Sequence, residues 1–136
     1  DEVGAEVVAP DKAHGTDCDI FSPCALGGAL NPTTIAELRC AAVVGSANNQ
    51  LADEACAALL ARKGVVYAPD YIVNAGGVIN IAEELEGYDR RRAYFALDRI
   101  FDTTTDVLES ADVDGITTVE AADRLVETRL NYTETG

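Results

Sequence analysis

The chain has 136 residues, 48% of them apolar, with 24 acidic against 10 basic side chains and a formal charge of −14. Such a length can bury a core without disulfide staples, and the composition excludes collagen, long disordered tails and coiled coils. No apolar run approaches the roughly 18 to 20 residues that span a bilayer, and no basic segment followed by an apolar one opens the chain. The acidic excess repels phosphates and anionic lipids, so no nucleic acid, no membrane and a cytoplasmic location are the expectations.

In chain order, short apolar runs alternate with helical stretches. The runs cover residues 6–9 (EVVA), 18–21 (CDIF), 41–45 (AAVVG) and 65–67 (VVY). They are continuous rather than alternating, as expected for strands covered on both faces in a parallel sheet. Between the second and third, Asn31, Pro32 and Thr33 open a short helix through Leu38, with Pro in its first turn. Between the third and fourth, Asp53 opens a helix that Gly64 stops. This is the βαβαβ grammar of a Rossmann-type sheet, whose ligands lie at the carboxyl ends of the strands. Helix signals dominate over 75–86 and 89–110, where Ala93, Leu97, Ile100, Thr104 and Val107 mark one stripe. Thr117 with Glu120 makes a capping box ahead of a helix over 119–130, with a stripe of Val119, Ala122, Val126 and Leu130. The predicted fold class is thus α/β, a partial Rossmann-type parallel sheet with flanking helices followed by C-terminal helices. Its parts are a nucleotide-binding half over 1–74, closing helices over 75–130 and a flexible polar tail over 131–136.

Cys18, Cys24, Cys40 and Cys56 are separated by 5, 15 and 15 residues, so no CxxC pair exists, and the one histidine, His14, lacks ligand spacing. No metal site is expected. The cysteines read as reduced thiols buried as small hydrophobes, and His14 as a surface residue without a partnered carboxylate. Arg90, Arg91 and Arg92, at a helix start, suit a solvated or interface cluster better than a phosphate clamp.

The loops after the strands hold the unusual residues. SPCALGG after Phe21 lets backbone approach a ligand closely, and equally makes a plain turn. GSANNQ after Val44 offers neutral amides that can pair with a carboxamide or a carboxylate, and its asparagines also suit turn caps. In APDYIVNAGGVIN, two glycines inside a prospective helix cost about 1 kcal/mol each relative to Ala, which asks for a packing or ligand reason. Asn74 stands ahead of them, and Val78 and Ile81 share one helical face as an apolar wall or as ordinary core.

Taken together, CDIFSPCALGG, VVGSANNQL and GVVYAPDYIVNAGGVIN resemble the carboxyl-terminal half of the nucleotide-binding domain of the glutamate, leucine, phenylalanine and valine dehydrogenase family. The likeness continues through EELEGYDRRRA and GITTVEAADRLVETR, and is nearest the leucine and valine branch. It implies reversible NAD-dependent oxidative deamination of a branched-chain or aliphatic amino acid to its 2-oxo acid and ammonia. It further implies that Pro23, Cys24 and Ala25 line the cofactor, that Asn48 binds the nicotinamide carboxamide beside the substrate carboxylate, and that Asn74 holds the amino acid's polar end. Val78 and Ile81 would touch the substrate side chain, and a homo-oligomer is expected of the full-length protein. The family's glycine-rich phosphate fingerprint, catalytic lysines and catalytic Asp fall before this stretch, and so do the first strands of its domain. The expectation is therefore a portion of a complete dehydrogenase, inactive alone. The alternative is a catalytically inactive remnant that only assembles or binds dinucleotide weakly.

Overall fold

The computed structural model describes residues 4–85 and 87–134. Its sheet has three parallel strands in the order β1 (Ile20–Phe21), β2 (Ala42–Val43) and β3 (Val66–Tyr67), with Ile20 opposite Ala42 and Ala42 opposite Val66. Helix α1 (Pro32–Glu37) connects β1 to β2, and α2 (Ala55–Lys63) connects β2 to β3. These crossovers bring the ends of all three strands to one rim, which is the use of the Rossmann-type arrangement. Helix α1 begins and α2 stops on local signals, whereas α2 starts at Ala55, after Glu54 and not at Asp53, without a side-chain cap. The Asn31 side chain accepts from the N–H groups of Thr33 and Thr34, at 3.0 and 3.1 Å, with Pro32 behind it. Gly64 ends α2 at φ 75°, a left-handed turn that suits glycine.

The strands are shorter than the apolar runs that announce them. The Asp19 carbonyl accepts from both Ala41 and Ala42, at 3.0 and 3.2 Å, so one acceptor serves two donors and the ladder is interrupted just below β2. The run over 6–9 is not a strand: the structure leaves it outside any strand or helix, with Val7 95% exposed. An apolar run becomes a strand only when a neighbour takes its backbone groups, and no described strand lies beside this one.

One core cluster sits between the sheet and α1 and α2, built from Leu30, Ile35, Leu38, Val43, Cys56, Leu60, Val65 and Tyr67. Complete burial of side chains such as Leu30 and Leu60 contributes roughly 1.5 to 3 kcal/mol each. The second half is helical: α3 (Asp70–Val73), α4 (Gly76–Leu85), α5 (Arg90–Asp114) and α6 (Thr118–Glu134). Helix α5 packs against α3, α4 and α6. Val107 and Ala111 of α5 meet Ala121 and Ala122 of α6 in a second cluster. The capping box forms as expected, with Thr117 N–H donating to Glu120 at 2.8 Å and Glu120 N–H to Thr117 at 3.2 Å. The stripes differ in detail. Leu97, Val126 and Leu130 are exposed; in α6 the predicted Ala122 is buried together with Ala121, and Leu125 is half-buried beside them. Residues 131–134 continue α6, while residues 86, 135 and 136, which the sequence reading assigned to a helix end and the tail, lie outside the described residues. No described helix is long and apolar enough to cross a membrane.

His14 is not a free surface residue. Its Nε2 lies 2.8 Å from Glu37 Oε2 and its side chain is largely covered. The cysteines are free, but only Cys56 is buried; Cys18 and Cys40 are half-buried and Cys24 is exposed. The arginine cluster is engaged locally: Asp89 caps α5 through the Arg91 and Arg92 N–H groups, Arg92 reaches Glu83, and Arg90 lies over the Tyr94 ring.

Candidate functional site

Three loops meet where the strands end. Pro23, after β1, is buried, and its carbonyl accepts from the Ala47 N–H at 3.0 Å. A Cβ built on Gly45 would fall on that same Pro23 carbonyl, so the residue after Val44 has to be glycine for the two loops to touch. Gly27 is similarly required: its Cβ would lie 2.9 Å from the backbone oxygens of both Asn48 and Asn49. Bonds from Gly28 N–H to Asn49 and from Leu30 N–H to Gln50, at 2.8 and 2.9 Å, complete the seam. Asn49 adopts φ 53°, a left-handed conformation that asparagine tolerates better than most residues.

Asn48 is exposed on this seam, and its side-chain oxygen accepts a hydrogen bond from Asn74 Nδ2 at the end of α3. The fold thus joins two amides that lie 26 residues apart in sequence. Cys24 and Ala25 are exposed on the neighbouring loop. The Cys24 thiol is lowered to about 7 by the Ser22 hydroxyl, 3.2 Å away, and then by the hydroxyl and N–H of Ser46. Cys24 therefore bridges the loops after β1 and β2 and is partly thiolate near neutral pH.

The chain breaks its helix between α3 and α4, so the glycine pair falls at the start of α4 rather than in a helix interior. The two have different reasons to lack a side chain. A Cβ on Gly76 would press on Leu97 of α5 at 3.3 Å, whereas Gly77 faces open space. Helix α4 carries no buried residue, and Val78 and Ile81 are 72% and 60% exposed. They form an apolar face without a counterpart among the described residues.

Beneath this surface lies a polar group that sequence reasoning missed. Gln50 is fully buried, and its Nε2 donates to the Gly45 and Ala47 carbonyls at 2.7 and 3.0 Å. Its backbone N–H reaches Asp70 Oδ2 at 3.4 Å, and the other Asp70 oxygen accepts from the Tyr67 hydroxyl at 3.0 Å. Burial, reinforced by the Asp70 charge, pushes the Tyr67 hydroxyl well above its ordinary pKa and keeps it a donor. The available signal was a polar residue directly before the apolar Leu51 and another directly after a strand and Pro69. An apolar cleft of about 400 Å³, lined by Tyr71, Ile72, Ile79, Ile100 and Leu125, opens elsewhere among α3, α4, α5 and α6 and holds none of Pro23, Cys24, Ala25, Asn48, Asn74, Val78 and Ile81.

Residues 2–123 match the family model described as Glutamate/Leucine/Phenylalanine/Valine dehydrogenase. The chain is 54% identical over 129 residues to a leucine dehydrogenase of Thermoactinomyces intermedius, covering 95% of this chain and 35% of the relative. It is 50% identical over 125 residues to a phenylalanine dehydrogenase of the same organism, covering 92% and 34%. The crystal structure of L-tryptophan dehydrogenase from Nostoc punctiforme superimposes with a TM-score of 0.93 at 46% identity, over 98% of this chain and 40% of that one. The chain thus spans about a third of the length of the curated relatives it matches. With a match over residues 2–123 of 136, the chain belongs to the glutamate/leucine/phenylalanine/valine dehydrogenase family.

Proposed function

We propose that this chain forms part of an amino acid dehydrogenase that oxidatively deaminates a branched-chain or aliphatic L-amino acid, reversibly and with NAD, to the 2-oxo acid and ammonia. The observation that carries the reading is the hydrogen bond between Asn48 and Asn74, which unites the loops after β2 and β3 at the strands' carboxyl ends. The donor set suits one end of the dinucleotide. Asn48 is a neutral amide able both to donate to and accept from a carboxamide, and Gly77 leaves its surroundings open to close backbone approach. No GxGxxG occurs in the sequence, so these residues fit the nicotinamide end and not the pyrophosphate.

When bound, the dinucleotide supplies the hydride acceptor. Asn48 orients the carboxamide and lies beside the substrate carboxylate. Asn74 fixes the Asn48 amide and holds the amino acid's polar end, and the exposed Cys24 and Ala25, with Pro23 beneath them, line the ribose side. Val78 and Ile81 present only hydrocarbon to the substrate side chain. A glutamate carboxylate left unpaired there costs several kcal/mol, so glutamate is rejected and a branched aliphatic chain accepted. Transfer of hydride from the α-carbon to the bound dinucleotide, with loss of a proton from the amino group to solvent or a base, would leave an imine that water hydrolyses to the 2-oxo acid and ammonia. These amides and hydrocarbons include no general base, so the 136-residue chain alone is expected to give no leucine-dependent reduction of NAD.

The test is a substrate profile of the full-length protein that carries this chain. Leucine and valine should be oxidised with reduction of NAD, and glutamate should not. A preference for phenylalanine or tryptophan overturns the aliphatic assignment, and no oxidation of any amino acid overturns the reading. Assembly as a homo-oligomer belongs to the same proposal, and light scattering of the full-length protein checks it.

A further inference from the structure

Two ties join the loop after β2 to helix α3. The exposed one is Asn48 with Asn74; the buried one is the Gln50 N–H with Asp70. Asp70 and Asn74 stand one helical turn apart, and the Asn74 N–H itself donates to the Asp70 carbonyl at 2.9 Å. Asn48 and Gln50 are two residues apart on the loop, so the ties are successive rungs between the same two segments. The buried rung is held from both sides. The Gln50 amide folds back on the carbonyls of Gly45 and Ala47 and sets the curl from which Asn48 projects. The Tyr67 hydroxyl donates to the Asp70 oxygen that the loop does not use. Both Gln50 and Asp70 are buried, so water cannot substitute for a lost partner without entering the core.

We infer that Gln50 and Asp70, steadied by Tyr67, are positioning residues: they determine where the Asn48 amide is presented to the nicotinamide carboxamide and the substrate. This rests on the role proposed above for Asn48. It goes beyond that role by assigning the loop's geometry to a buried network that touches neither ligand. Displacement of an orienting group by about 1 Å can cost up to about a hundredfold in rate, so the effect belongs in turnover and not only in stability.

The experiment places Asp70→Asn and Tyr67→Phe in the full-length protein, each alone and combined with Asn48→Ala. It reads kcat and KM for leucine and NAD, together with backbone hydrogen exchange over residues 45–50, which needs no turnover. Asp70→Asn should lower kcat/KM by about tenfold or more, and Tyr67→Phe by less. In the Asn48→Ala background both should lose their effect to within about twofold, because what they position is already gone. Exchange over 45–50 should quicken in Tyr67→Phe while exchange in α5 and α6 is unchanged. Tyr67→Phe removes one hydroxyl and keeps the ring that packs in the core, so it is the milder variant and decides the matter if Asp70→Asn does not fold. Equal losses in both backgrounds, or wild-type kinetics and exchange in Tyr67→Phe, overturn the positioning role and leave Asn48 in place. An Asn48→Ala protein with wild-type kcat/KM overturns the site reading, and the inference falls with it.

Discussion

The loop over residues 45–50 and helix α4 carry the polar and the apolar parts of one proposed site, and they are built in opposite ways. In the loop, Gly45, Ala47 and Gln50 are buried, and hydrogen bonds run to Pro23, Gly28, Leu30 and Asp70. In α4 no residue is buried, and Val78, Ile81 and Leu85 are 72%, 60% and 84% exposed. A helix satisfies its own backbone and can hold apolar side chains outward without neighbours. A loop cannot, and each of its polar groups needs a partner elsewhere in the chain. The comparison teaches that orientation is supplied where directional bonds do the recognising, and that hydrocarbon is merely displayed where shape does it.

The largest effect should come from breaking the seam. Gly45→Ala drives a methyl onto the Pro23 carbonyl and should destabilise the full-length protein by about 1 to 3 kcal/mol in urea unfolding. A loss below about 0.5 kcal/mol would mean that the two loops do not touch. On the other side of the comparison, Ile81→Ser should leave stability within about 0.5 kcal/mol. Its effect should appear instead as a roughly tenfold fall in preference for leucine over polar amino acids, read from kcat/KM ratios. Unchanged ratios remove Ile81 from the pocket.

Gly77→Ala sharpens the contrast within α4. With open space around it, the methyl should add about 0.5 to 1 kcal/mol of stability from helix propensity and raise the Kd for NAD severalfold by calorimetry. Unaltered NAD affinity would mean that no ligand approaches that backbone. The smallest effect concerns Cys24. Its thiol is lowered to about 7, so thiolate accumulates as pH rises through that value, and iodoacetamide labelling of Cys24 should rise with a midpoint near 7. Ser22→Ala should move the midpoint upward, since its hydroxyl is the main cause of the shift. A midpoint at the ordinary thiol value in the unmodified protein would show that the serine bonds do not form.

Much of the site's address was legible and little of its framework was. The loops after the strands were identifiable because glycine, proline and amide residues interrupt apolar runs at a strand's end. The resemblance named Asn48, Asn74, Val78 and Ile81, and the fold brings the first two into contact. Gln50 and Asp70 went unnoticed because a polar residue inside a loop motif looks solvated until the fold buries it. His14 was misread for the same reason: its partner, Glu37, lies 23 residues away at the end of α1.

Neighbouring residues decide among themselves the Asn31 cap, the Gly64 stop, the Thr117 and Glu120 capping box, and the alternation of apolar run and helix. These depend on backbone conformation and bonds spanning a few residues, so a linear reading contains them. Tertiary packing was needed to leave residues 6–9 outside any strand, to bury Ala121 of α6 beside a half-buried Leu125, and to lock the loop beneath Asn48 through Gln50 and Asp70. Each is a choice of partner between segments distant in the chain. Burial and hydrogen-bond satisfaction are settled only when those segments meet.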